Sequence, residues 1–179
     1  SLVDPTVRTL YEDRGGSLWI GTQGGISVRD PASERFTNHV HDPGDPHSLS
    51  KGSVLSFCED ASGAMWIAIY GGGLNRYDRE TGTFTRFTEK HGLPNDGVYG
   101  ILADAEGYLW ISTNKGLARF DPRTETFYNY DVSDGLQSNE FNSGAYFRSE
   151  RGEMFFGGIN GFTAFYPEAV QENDYLPPI

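Results

Sequence analysis

The residues that could do chemistry are few and poorly grouped. His39, Val40, His41 and Asp42 run together. On an extended strand residues i and i+2 share a face, so the two imidazoles could ligate one metal ion. Two histidines alone make a thin metal signature, and a polar surface loop accounts for them better, so no metal site is expected. Glu59 and Asp60 are adjacent, and on a strand they point to opposite faces, which rules out a shared acid–base pair. No Ser, His and Asp set stands in a nucleophile context. Gly71-Gly72-Gly73 is followed by Leu74-Asn75 rather than Lys-Ser or Lys-Thr, and no helical pattern follows, so it is no phosphate loop. Cys58 is the single cysteine. It excludes a disulfide framework and reads as a small apolar core residue of the strand Val54-Leu55-Ser56-Phe57-Cys58. The inventory points away from catalysis and cofactors.

The elements that would position any site come from a repeat. Trp19, Trp66, Trp110 and Phe155 follow one another at intervals of about 45 residues. Three residues before each stands a glycine: Gly16, Gly63, Gly107 and Gly152. Six before stands an acid in three cases, Asp13, Asp60 and Asp104, and Ser149 in the fourth. Further on come Gly25, Gly73, Gly116 and Gly161, then Asp30, Asp78 and Asp121 with Tyr166 in the fourth unit, then Phe36, Phe84 and Phe127. Between these landmarks lie short β-branched and aromatic runs such as Tyr108-Leu109-Trp110-Ile111-Ser112-Thr113, bounded by turn residues. The pattern predicts an all-β chain of propeller blades, four repeats of about 45 residues, each a four-stranded antiparallel sheet. The predicted blades span about 7–40, 53–88, 97–131 and 142–170, with 171–179 a polar, Pro-rich tail that serves as one poor strand or a linker. Three strands are visible in the fourth unit, so the chain is expected either as an arc of a larger propeller, the preferred form, or as a compact four-bladed unit. The recurring Asp, Gly and Trp read as architecture: Asp accepts N–H groups of its own turn, Gly permits positive φ, and Trp packs between blades.

Composition bounds the function. The chain has 179 residues, 37% apolar and 14% aromatic, with a net charge of −11 and a pI near 4.7. Aromatic bulk compensates for a modest apolar share. Acidity argues against nucleic acid and anionic membranes as partners. No run approaches the ~18 apolar residues of a membrane span, so no direct membrane insertion is expected. Ser1-Leu2-Val3-Asp4-Pro5 runs almost directly into the first repeat, and the chain is expected to be a piece of a longer protein.

Glu12-Asp13-Arg14-Gly15-Gly16-Ser17-Leu18-Trp19-Ile20-Gly21-Thr22, Gly71-Gly72-Gly73-Leu74-Asn75-Arg76-Tyr77-Asp78 and Asn95-Asp96-Gly97-Val98-Tyr99-Gly100-Ile101 resemble the two-component regulator propeller repeat. So do Asp45-Pro46-His47-Ser48-Leu49-Ser50 and Asp134-Gly135-Leu136-Gln137-Ser138-Asn139-Glu140-Phe141-Asn142. Phe156-Gly157-Gly158-Ile159-Asn160-Gly161-Phe162 is similar to the last repeat of such propellers, ahead of an immunoglobulin-like domain. The resemblance implies the C-terminal part of a periplasmic sensor propeller in a bacterial signalling receptor, non-catalytic, with a glycan fragment as ligand in several members. An open arc exposes apolar blade faces and needs its missing blades or a second copy of itself to cover them, and the resemblance implies downstream domains of a parent receptor as further partners. A structural or protein-binding propeller is the alternative, and a lyase similar to streptogramin lyase, suggested by the blade phrasing around Trp-Ile-Xaa-Thr and Arg-Phe-Asp-Pro, a third.

A ligand is expected where loops entering the blades (37–53, 88–97 and 131–143) meet the turns between second and third strands. Those turns carry Gln23, Tyr70, Asn114 with Lys115, and Asn160. The candidate ligand-binding residues are Tyr70, Asn95, Tyr99, Asn114, Lys115, Asn139 and Asn160. Amides, one cation and aromatic rings combine oriented hydrogen bonds with stacking, which suits a sugar-like ligand.

Overall fold

The computed structural model describes residues 1–170; the predicted tail 171–179 lies outside the described residues. Blade one is built from β1 (Val7–Glu12), β2 (Leu18–Thr22), β3 (Ile26–Arg29) and β4 (Phe36–His39). Blade two comprises β5 (Ser53–Glu59), β6 (Met65–Tyr70), β7 (Gly73–Tyr77) and β8 (Phe84–Phe87). Blade three comprises β9 (Val98–Ala103), β10 (Leu109–Thr113), β11 (Gly116–Asp121) and β12 (Thr126–Tyr130). Blade four has three strands among the described residues, β13 (Phe141–Arg148), β14 (Met154–Gly158) and β15 (Gly161–Phe165). In every blade the strands pair antiparallel in chain order. Glu89–His91 and Val132–Asp134 form 3-10 turns in the connections that lead to blades three and four. No helix among the described residues is long and apolar enough to cross a membrane.

The strand period explains the packing. Side chains alternate across each sheet, and in the middle blades both faces are covered. Trp19 packs with Phe57, Met65, Ile67 and Phe84 between blades one and two. Trp66 packs with Leu109, Ile111, Ala118 and Phe120 between blades two and three. Trp110 packs with Met154, Phe156 and, at the edge, Phe165 between blades three and four. Cys58 is buried in the second of these interfaces, and burial pushes its thiol up to about 11. Each interface thus inserts one indole into the back of the next sheet.

No apolar cluster among the described residues joins blade four to blade one, so the sheets form an open, curved series. First strands of all four blades line a central cavity of about 280 Å³. At one end Leu10 and Phe36 of blade one are exposed, and at the other Phe147 and Phe162 of blade four are 62% and 64% exposed.

The acid before each Trp does more than the sequence reading gave it. In blade two Asp60 Oδ1 accepts the N–H groups of Ser62 and Ala64, while Oδ2 accepts the Trp66 indole N–H at 2.7 Å. Asp13 and Asp104 take Trp19 and Trp110 the same way, at 2.8 and 2.9 Å. One carboxylate ties the turn and satisfies the donor of the inserted indole. In blade four Ser149 Oγ accepts, among the described residues, only the Glu153 N–H, and Phe155 has no donor to satisfy. Arg79 adds a clasp between blades: its guanidinium lies 2.9 Å from Asp13 Oδ2 and 3.3 Å from Glu59, over the Trp19 ring.

Candidate functional site

His39 and His41 do not converge on a metal. His39 ends β4 and packs edge-on against Tyr77 and Phe84, and burial lowers its pKa. His41 Nδ1 donates to the Leu49 carbonyl at 2.9 Å.

On the face where the entering loops open, four of the seven predicted ligand residues come together. Tyr70 ends β6 and is 47% exposed. Tyr99, the second residue of β9, lies beside it, ring centroids 5.6 Å apart and planes tilted by 34°. The Tyr99 hydroxyl donates to Asn114 Oδ1 at 2.7 Å. Burial, and then the neighbouring Tyr70, raises the Tyr99 pKa, so its hydroxyl stays a neutral donor and acceptor. Asn95 Oδ1 accepts the Gly97 N–H at 2.9 Å, and its Nδ2 donates to Glu89.

Gly97 is the hub of this cluster. A Cβ there would lie 2.9 Å from Asn95 Oδ1, 3.0 Å from Asn114 Nδ2 and 3.5 Å from the Tyr70 ring. Its backbone pairs with Tyr70 in an isolated antiparallel bridge, and its carbonyl accepts the Asn114 N–H at 3.2 Å. The Asp96 carbonyl accepts from both Gly71 and Gly73 at 3.0 Å. Three chain segments from two blades are therefore locked by main-chain bonds, and the side chains they carry are held before any ligand arrives, which lowers the ordering cost of binding.

The other three predicted residues lie elsewhere. Lys115 and Asn139 line a separate concavity of about 240 Å³ with Asn129, Tyr130 and Asp131. Asn139 is already engaged: its Oδ1 accepts from Val132 N–H at 3.0 Å and its carbonyl from Gly116 at 2.7 Å. Asp96 does the same for Glu89 and Gly73, so Asn139 corresponds to Asp96 and not to Asn95. Asn160 is exposed at the β14–β15 turn, its N–H donating to Gln137 Oε1 at 2.9 Å. Sequence reasoning missed Gly97, Asp96 and Glu89, which hold the cluster. The signal for Asp96 was its alignment with Asn139 at the same distance after each 3-10 turn.

The family model for the two component regulator propeller matches residues 1–24 and 92–115, the strands and turns of blades one and three that carry the Asp–Trp bond and the Gly97 hub. These two stretches match the two-component regulator propeller repeat. Over its whole length it is 30% identical to histidine kinase P4 of Formosa agariphila, across 189 aligned residues that make up 13% of the kinase. The extracellular domain of the putative hybrid two component system BT4673 from B. thetaiotaomicron superposes with a TM-score of 0.75 at 24% identity, covering 94% of this chain and 25% of that one. That of the putative hybrid system BT3049 from the same organism gives 0.60 at 26%, covering 90% and 28%. The chain therefore spans about a quarter of the solved domains and a smaller part of the kinase.

Proposed function

We propose that this chain is a ligand-sensing, non-catalytic segment of the extracytoplasmic part of a bacterial signalling receptor, placed in the periplasm of a membrane-anchored parent. The ligand is polar, of the glycan-fragment class. The observation that carries this reading is the Tyr70–Tyr99 pair, half open to solvent and bordered by the amides of Asn95 and Asn114 on a main-chain-locked frame. Tilted aromatic faces take the C–H faces of a sugar ring, and amides take its hydroxyls. Glu89 and Asp96 stand behind Asn95, so an uncharged ring fits better than an anionic one. Lys115 and Asn139 form an outlying subsite in this proposal, and Asn160 a more distant one.

The lyase alternative would need a histidine and an acid meeting beside this cluster. His91 Nδ1 instead accepts the Thr88 N–H at 3.0 Å, capping its own 3-10 turn, and His39 and His41 serve packing and a loop carbonyl. The scaffold alternative is favoured by one observation, the exposed aromatics of blade four. Calorimetric titration of the parent's extracytoplasmic part with a panel of oligosaccharides separates the readings. Saturable heat with at least one neutral oligosaccharide is expected, and the paired change Tyr70→Ala with Lys115→Ala weakens it about tenfold or more. No heat across a broad panel favours the scaffold, and an unchanged isotherm in the variant removes both residues from the site.

A further inference from the structure

We infer that the widened bulge near the start of β13, through the side chains of Asn142 and Ser143, is the wall of the Tyr70–Tyr99 site that selects among sugars by their hydroxyl pattern. The inference rests on the ligand reading above and adds its specificity. In each of the other blades the first strand carries one extra residue against the second. Val7 and Thr9 pair with Thr22 and Gly21, so Arg8 is extruded. Val54 and Ser56 pair with Ile69 and Ala68, which extrudes Leu55. Val98 and Gly100 pair with Thr113 and Ser112, and the residue extruded there is Tyr99, half of the aromatic pair. A bulge bends its strand and re-aims the extra side chain. All three lie near the start of their strands, on the face where the entering loops open, and the one in blade three already supplies a site residue.

In blade four the irregularity is larger. Phe141 pairs with Gly158 and Tyr146 with Phe156, so Asn142, Ser143, Gly144 and Ala145 stand against Gly157 alone. Ala145 is the one that meets it: a Cβ on Gly157 would lie 3.0 Å from the Ala145 Cβ. Asn142, Ser143 and Gly144 are extra, and all three are exposed. Gly144 turns the bulge with a φ of +74°, and a Cβ there would meet no atom of the described residues within 4 Å. The Asn142 amide and the Ser143 hydroxyl have no hydrogen-bond partner among the described residues. The side chains of Asn95, Asn114 and Asn139, by contrast, are engaged by the protein.

A contact on each side fixes where the bulge stands. After it, the Tyr146 ring lies directly on Gly100, the neighbour of Tyr99, so that a Cβ on Gly100 would collide with the ring. Before it comes Glu140. Burial and then Tyr70 do most to raise the Tyr99 pKa, and the Glu140 carboxylate adds to the rise, an influence that fades beyond about 10 Å. The bulge is held between these two points, beside the strand that carries Tyr99. It borders the tyrosine pair from blade four and offers an amide and a hydroxyl, donors and acceptors that no protein group among the described residues uses. Aromatic stacking tolerates many sugar rings. Oriented hydrogen bonds discriminate, because epimers differ in where a hydroxyl points. The tyrosines therefore hold the ring, and the bulge reads its hydroxyls.

The test is calorimetric titration of the parent's extracytoplasmic part with neutral disaccharides in epimeric sets, glucose, galactose and mannose each joined to a second glucose by the same linkage. Three forms are compared: the unmodified protein, Asn142→Ala with Ser143→Ala, and Tyr70→Ala. The unmodified protein should bind one epimer about tenfold or more tightly than the others. The paired bulge change should weaken that epimer about tenfold, the worth of one or two hydrogen bonds, and leave the others within about twofold. Its thermal unfolding midpoint should not move, since both side chains are exposed. Tyr70→Ala should weaken all epimers together. If Tyr70→Ala weakens binding but no epimer is preferred, or the preference survives the bulge change, this inference is overturned and the ligand reading stands. A bulge change that weakens every epimer alike overturns the selection in the same way. No binding by any disaccharide, or binding indifferent to Tyr70→Ala, overturns the ligand reading and this inference with it.

Discussion

Trp66 and Phe155 occupy the same place in their repeats, and their surroundings differ completely. Trp66 is sealed between two sheets, its indole N–H bonded to Asp60 and its ring against Phe87 and Phe120. Phe155 faces outward with Phe147 and Phe162 as neighbours at 6.3 and 6.0 Å, both largely exposed. The acid changes with the ring: Asp60 becomes Ser149, because a phenyl has no donor to satisfy. The difference teaches that Asp and Trp form one device, a carboxylate that closes a turn and anchors an indole in the neighbouring blade. Where no neighbouring blade covers the face, neither half of the device is present.

This comparison can be broken by substitution. Trp66→Ala should cost about 3–5 kcal/mol of unfolding free energy by urea titration, a large aromatic lost from a packed interface, while Phe155→Ala should cost less than about 1 kcal/mol. Equal losses would end the distinction. Asp60→Ala comes next, at about 2–3 kcal/mol, since it strands a buried indole donor and the turn N–H groups together. The double change Asp60→Ser with Trp66→Phe copies blade four, and its cost should fall short of the summed single changes, a coupling visible in a double-mutant cycle.

The smallest effect is one of pH. Burial alone would raise the Asp13 pKa, but hydrogen bonds from Trp19, Ser17 and Arg79, with the Arg79 charge, outweigh it and hold it below the ordinary carboxylate value. A depressed folded pKa means that this stabilisation is complete above the unfolded value of about 4 and is lost as pH falls through the lower folded value. Denaturation midpoints measured from pH 5 downward should therefore fall less steeply for Asp13→Asn than for the parent chain. Parallel curves would assign the acid sensitivity to other groups.

Much of the architecture was legible in the sequence because its signal repeats. The spacing of the Trp19, Trp66, Trp110 and Phe155 anchors and the turn glycines gave strands and blades, and the poor fourth unit stood out by Phe155 and Tyr166. The Asp–Trp bond was not read, since the six-residue offset looks like turn chemistry alone until strand β2, β6 or β10 turns the indole back over the carboxylate. That four of the candidate residues lie together was legible from loop position. Tyr70, Asn95, Tyr99 and Asn114 meet because Gly97 leaves room for them. Lys115 was grouped with Asn114 by adjacency, and it lines a different concavity. Asn139 was grouped by residue type, and its side-chain oxygen is committed to its own 3-10 turn.

The central claim is that the Tyr70–Tyr99 cluster is where a polar ligand lands. Its most direct test is a titration, followed by NMR, of the parent's extracytoplasmic part with neutral oligosaccharides, reading the ring signals of Tyr70 and Tyr99 and the side-chain amides of Asn95, Asn114 and Asn160. The account predicts saturable shifts at Tyr70, Tyr99, Asn95 and Asn114, small or no shifts at Asn160, and loss of the response in Tyr70→Ala. Shifts confined to other residues, or a response that survives Tyr70→Ala unchanged, would contradict it.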